Sequence, residues 1–348
     1  MHINQRLWRW NPTAMPLGAR RTFRFGGVVA LALLLAYGLG TPLPFIAPIF
    51  AILLSAAPTP PMPAKGALGL LLVTLLTLSI GLLLVPLLQN YPLSAVLLIV
   101  IGIYMSTLVT VGQGKVLLGT FLTVGFTMIP AAGLVSHALA EAMIGALVIG
   151  IGLAVISQWI VYPLFPENPH APTPPAPPTV DPAQAKWQAL RATLIVMPPV
   201  LMAFSNPALY MPAILKTVLL GQQGSVVSAR AAGRELLGST LLAGWFAILL
   251  WFGLKIWPNL WMFFLWMLLI GIYTGSKLYG ISATRFAPSF WINMLVTLLI
   301  LLGPAVEDSA NGKDVYKAFA MRFGLFVAIT FYAWLSILAL EWLRKRPA

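Results

Sequence analysis

Uncharged apolar runs alternate with short polar breaks along almost the whole chain. Val28–Gly38, Leu68–Leu88 and Leu93–Val111 contain no charged side chain. A helix needs about 20 such residues to cross the hydrocarbon of a bilayer. On that measure the first part of the chain predicts spans at roughly 21–39, 42–58, 66–87, 92–110, 115–132 and 138–163. The remainder predicts spans at roughly 187–205, 206–224, 233–255, 259–276, 286–304 and 316–343. Lipid admits only helices or closed barrels, and these runs lack the alternation of barrel strands. The expectation is an all-α integral membrane protein with about twelve transmembrane helices.

Composition strengthens this reading. Of 348 residues, 59% are hydrophobic and 8% charged, where a soluble domain carries about 25% charged residues. The absence of cysteine rules out disulfides and thiolate metal sites. Residues 1–20 are basic and aromatic, carry no cleavable signal pattern, and read as an interfacial segment on the cytoplasmic leaflet anchored by Trp8 and Trp10. The first six-helix half is then 21–164. FPENPHAPTPPAPPTVDPAQAK, Phe165–Lys186, is a polyproline-type linker on the cytoplasmic side. The second half with its short basic cytoplasmic tail is 187–348.

The net charge of +13 suggests nucleic acid only until the charges are placed. With the N-terminus inside, one side collects Arg6, Arg9, Arg20, Arg21, Arg24, Lys65, Lys115, Lys186, Arg191, Arg230, Arg234, Lys277, Arg285 and Arg344–Arg346. The other side receives Lys255, Lys313, Lys317 and Arg322, with the acidic loop PAVEDSANGKD at Pro304–Asp314. That asymmetry is the positive-inside pattern of a multi-pass protein with both termini cytoplasmic. The charge is a topology signal, and no nucleic-acid partner is expected.

The halves resemble each other. IGIY occurs at Ile101–Tyr104 and Ile270–Tyr273, and the same offset places Lys65 on Arg234, Gly69 on Gly238 and Asn90 on Asn259. With small changes of offset, Pro48 falls on Pro212 and Gly145 on Gly324. Fixed-offset similarity marks a repeat. An even number of spans per repeat makes the halves parallel, a plan of secondary transporters that bind substrate at the repeat interface.

In such transporters a pair of Pro- or Gly-interrupted spans in corresponding positions points to the site. The second span of each half qualifies: TPLPFIAPIFAILLSAAP contains Pro48, and NPALYMPAILKTVLLGQQG contains Pro212. The plain alternative is a packing kink. Lys216 follows Pro212 by one turn, in mid-span, where a charge costs about 2.5–3.5 kcal/mol to insert. It is either a snorkelling lysine or an anion site, with Tyr210 and Met211 to contact a ring. His137 and Glu141 share a helix face at the start of the sixth span and could carry a proton; the competing reading is a structural Glu141–Arg322 pair between the halves. At the cytoplasmic entries Lys65, Arg230 and Arg234, with Glu235 beside them, anchor helices and could collect anions. GQGK at Gly112–Lys115 lacks the first Gly of a phosphate loop, and the three His show no metal or triad spacing. No enzyme, cofactor or metal is expected.

Duplicated six-span halves, the basic-then-Gly entry to the third span (AKGALG and GRELLG) and the Pro-rich second span resemble the fusaric acid resistance/aromatic acid exporter family. The similarity is to its short bacterial branch of integral membrane transporters. Longer members carry a soluble domain after each half; here only the linker and the RKRPA tail stand in those places. The resemblance implies proton-coupled export of aromatic or other organic acids across the bacterial inner membrane. It also implies a periplasmic membrane-fusion adaptor and an outer-membrane channel as partners, and it leaves a homodimer open. A major-facilitator-like carrier shares the span number, but its G-x-x-x-D-R-x-G-R-R motif is missing from PTPPMPAK. A non-transporting membrane assembly subunit is the third reading.

Overall fold

The computed structural model describes residues 15–168, 180–207, 210, 214–218, 220 and 233–345. The first half comprises α1 (Leu17–Gly38), α2 (Ile46–Ser55), α3 (Ala64–Asn90), α4 (Pro92–Gln113), α5 (Val116–Val135) and α6 (His137–Val161). The second comprises α7 (Pro182–Ser205), α8 (Gly238–Ile256), α9 (Leu260–Leu278), α10 (Pro288–Ala310) and α11 (Val315–Lys345). One π-helical turn, Gly233–Leu237, leads into α8. Between α7 and that turn, 214–218 are helical. Among the described residues ten helices are long and apolar enough to cross a membrane, and there are no strands. The chain is an all-α membrane protein.

Local chemistry sets the helix starts. Asp181 accepts hydrogen bonds from the backbone N–H groups of Ala183 and Gln184, and Pro182 occupies the first helical position. The seventh span therefore begins at Pro182, ahead of the expected position 187. Ser136 caps α6 through Leu139 N–H, and Asn259 caps α9 through Met262 N–H.

The second span departs most from expectation. Of residues 42–58, only Ile46–Ser55 are helical, giving about 15 Å of helix, half a hydrocarbon thickness. Pro42 and Pro44 donate no hydrogen bonds, and Leu43 takes φ +48°, a left-handed conformation uncommon for a bulky residue. Pro48 lies inside the first turn of α2, where a missing N–H would be unpaired anyway. The break thus falls before Pro48 rather than at it.

Contacts at its two ends fix the level of α2. Its last carbonyls, of Ser55 and Ala56, accept from Tyr279 Oη at 2.9 and 3.2 Å, and Ser55 Oγ accepts from Gln158 Nε2 at 2.9 Å. Tyr279 and Gln158 stand at the end of the bundle that holds Arg24 and Lys277. The first turn lies against Gly150, the middle of α6, where an added Cβ would come within 2.9 Å of Ile46. Phe45 packs onto Gly303 of α10. Helix α2 therefore starts in mid-bundle and ends at the basic face.

The halves meet through helix pairs. Helix α1 runs along α9, with Gly26 on Gly271, whose added Cβ would lie 2.8 Å from Gly26 Cα. Small residues allow this approach. Helix α4 packs on α7, where Ile99 and Ile103 share a buried cluster with Val196 and Val200. Inside the halves, α3 packs on α5 and α5 on α6, as α8 packs on α10 and α10 on α11. The two IGIY glycines are both buried but meet different neighbours: Gly102 faces the Phe126 ring within its own half, and Gly271 faces α1 across the halves.

The start of the linker is pinned to α1. Glu167 receives Arg21 at 2.8 Å and Arg24 at 2.6 Å, while Arg20 donates to Pro166 O and to Asn168 Oδ1. In the second half Arg191 of α7 pairs with Glu341 near the end of α11 at 2.6 Å.

Candidate functional site

The break before α2 opens onto a cavity of about 490 Å³. Leu43, Phe45 and Ile46 form one wall, and Met128 of α5 with Leu139 and Met143 of α6 form a second. Pro207 and Leu215, from the segment that corresponds to the second span, and Ile300 and Pro304 of α10 complete it. Both halves therefore line it. Its walls are mainly apolar, and its polar groups, Glu307, Lys313 and Arg322, gather at the end of α10 and the start of α11. Arg322 forms an ion pair with Asp308, to which Lys313 also approaches at 3.7 Å. An apolar chamber with charge at one end suits an amphiphilic small molecule: the walls take its carbon body and the rim takes its polar head.

A second polar group lies deeper. Lys216 is fully buried, and its Nζ donates to Thr297 Oγ1 at 2.8 Å and to Asn293 Oδ1 at 3.3 Å, both on α10. Asn293 Nδ2 in turn donates to Ser239 Oγ of α8 at 2.5 Å. One turn earlier, Ser289 Oγ of α10 donates at 3.1 Å to Glu235 Oε2 in the π-helical turn that leads into α8. Ser289, Asn293 and Thr297 recur every four residues, so they form one stripe along α10. Lys216 does not line the cavity; its neighbour Leu215 does.

The remaining sequence candidates fall into place around these two features. Tyr210 is half-buried against the main apolar core. Pro48 is buried beyond the cavity wall. Met211, Pro212 and Arg230 lie outside the described residues. His137 and Glu141 are both exposed, 3.4 Å apart, at the start of α6. The carboxylate that Arg322 meets is Asp308, fourteen residues earlier across one turn, rather than Glu141. Lys65 and Arg234 are exposed at the entries to α3 and α8, and Glu235 is half-buried on Ser289.

Sequence reasoning did not single out Asn293, Thr297, Ser239, Glu307 or Asp308. The four-residue polar period inside the apolar run PSFWINMLVTLLILLG is the signal that marks the first two. A family model described as "Protein of unknown function (DUF2955)" matches residues 21–161, ending where α6 ends. No curated protein and no solved structure matches the chain.

Proposed function

We propose that this protein is a secondary transporter of the bacterial inner membrane that exports aromatic or other organic acids. The observation that carries the reading is the cavity of about 490 Å³ between the halves, at the break in the second span. Its volume falls in the range of small-molecule sites, roughly 300–1,000 Å³. Interrupted spans that end in mid-membrane at a repeat interface are a recurring design for substrate sites in secondary transporters. The apolar walls suit an aromatic ring, and Arg322, ion-paired with Asp308 through Nη2, has its buried Nη1 without a hydrogen-bond acceptor among the described residues and so offers a donor to a carboxylate.

The sequence repeat supports the same reading. The first helix of each half packs on the fourth apolar span of the other, α1 on α9 and α7 on α4, a reciprocal contact consistent with two related halves. The excess of basic residues on one side supports cytoplasmic termini, and on this reading the proton gradient is the driving force. On this reading the chain is a carrier rather than an enzyme. It works as the membrane part of a larger efflux system, with a periplasmic membrane-fusion adaptor and an outer-membrane channel, as in the aromatic acid exporters it resembles.

The test is retention of 4-hydroxybenzoate by energised cells with and without the gene. Cells that express the protein should hold less of the acid and lose that advantage when an uncoupler collapses the gradient. Equal retention across a panel of aromatic and aliphatic acids would leave a non-transporting role.

A further inference from the structure

We propose that Lys216 is a proton-binding site of this membrane domain, loaded and emptied along the polar seam between α8 and α10. The chain contains eight Asp and Glu side chains, and all lie among the described residues. Five are engaged in ion pairs or cap contacts elsewhere: Glu141 with His137, Glu167 with Arg21 and Arg24, Glu341 with Arg191, Asp308 with Arg322 and Lys313, and Asp181 with its helix start. Asp314 accepts from the backbone of Tyr316 and Lys317, Glu235 from Ser289, and Glu307 lines the cavity. None pairs with Lys216, although Lys216 is fully buried.

What does surround the amine can serve either of its forms. A carboxylate at hydrogen-bond distance would hold an ammonium permanently charged. Thr297 instead offers a hydroxyl that accepts from an ammonium and, on rotation, donates to a neutral amine. The Asn293 amide has both an acceptor and donors. An uncompensated charge at this depth is costly, and an amine with amphoteric neighbours can shed that cost by releasing its proton. In the step itself one N–H bond of the ammonium breaks, the electron pair stays on Nζ, and the proton leaves by way of the seam to solvent outside the bundle.

The seam supplies the route. From Lys216 it continues through Asn293 to Ser239, whose hydroxyl donates to the backbone carbonyl of Glu235 at 2.5 Å; in that π-helical turn, at the basic end of α8, Ser289 donates to the Glu235 carboxylate. The other charged groups on packed elements are set apart. Glu307 and Asp308 sit ten and eleven residues beyond Thr297 on α10, about 15 Å along a helix. Lys255 is at the far end of α8 on Tyr316, the α11 groups Arg322 and Glu341 have their own partners, and Arg191 of α7 holds Glu341. His137 and Glu141 of α6 are exposed beyond the cavity.

The inference deepens the transport reading without depending on it, because proton binding is measurable with no substrate. The first measurement is the melting temperature of purified wild type and Lys216→Met at a series of pH values from about 5 to 10. The difference between them should change with pH; a constant difference would overturn the proposal. Lys216→Gln serves the same comparison if the Met variant does not fold. The second measurement uses proteoliposomes and 4-methylbenzenesulfonate, an anion at every pH used. Where wild type accumulates it against its gradient, Lys216→Met should lose accumulation about tenfold or more while keeping exchange within about twofold. Intact gradient-driven accumulation, or loss of exchange as well, would overturn the coupling role. A wild type that moves no anion, yet shows the pH-dependent difference, would overturn the transport reading alone.

Discussion

Arg191 Nη1 lies 2.6 Å from Glu341 Oε1, and the contact repeats one made by Arg24 with Glu167, also at 2.6 Å. In each half a basic residue in the first helix holds a carboxylate at or just past the end of the last helix. The two pairs clasp the half shut at its basic face, so chain continuity and side-chain charge close the same gap. Glu167 belongs by composition to the Pro-rich linker, yet its first residues are part of the membrane domain through this contact.

The clasp should be sensitive to acid. Burial alone would raise the Glu167 carboxyl, but hydrogen bonds from Arg21 and Arg24 and their charges bring it below the ordinary 4.5. A lowered carboxylate stabilises the fold above its unfolded value, and that contribution disappears as pH falls through the folded value. Wild type should therefore lose melting temperature below about pH 4.5 more steeply than Glu167→Gln, whose stability is already reduced at neutral pH. Parallel curves would show that the pair contributes nothing. Glu341→Gln, which leaves the buried Arg191 without that partner, should cost about 1–3 kcal/mol.

Glycine placement gives a sharper contrast. Gly271→Leu forces a side chain into the Gly26 backbone, which cannot retreat without separating α1 from α9. Overpacking of this kind costs about 1–3 kcal/mol or more. It should appear as aggregated protein on size exclusion. Gly145→Ala and Gly324→Ala, the matched pair with open space around both, should elute as wild type does. If Gly271→Leu elutes normally, the two halves are not held together at this crossing.

The native chain has no cysteine, so single cysteines report sidedness cleanly. Replacements at the exposed Lys65 and Arg234 should react with an impermeant maleimide only in inverted vesicles. Replacements at His137 and Lys313, also exposed, should react in spheroplasts. Lys65 and Arg234 on opposite sides would show inverted rather than parallel halves.

The hydrophobic runs made most of the helices legible, because membrane helices satisfy their own backbones and need only length and apolarity. They could not reveal where α2 begins, since the apolar run continues through Leu43 and Phe45 while the helix does not. Lys216 stood out as a charge in mid-span, but its partners Asn293 and Thr297 lie 77 and 81 residues away, a separation that no local period encodes. Arg322 illustrates the opposite error. Its true partner was near in sequence, across the turn at Asn311–Asp314, while the duplication drew attention to the other half.

Filling the cavity is the most direct test of the proposed transport path. Leu215 lines it from the second half, opposite Phe45, Met143 and Ile300. A larger ring at position 215 has open space to enter, so Leu215→Trp should fold and should retain the wild-type melting temperature within a few degrees. The added ring would occupy the volume that an aromatic acid needs, and export should fall sharply. Leu76→Trp, at a position 67% exposed on the outer surface of α3, adds the same ring facing lipid and should leave export unchanged. Partial recovery with small aliphatic acids, but not with two-ring acids, is expected if the block is one of volume. Wild-type export of every acid by the Leu215→Trp variant would show that the path runs elsewhere in the bundle.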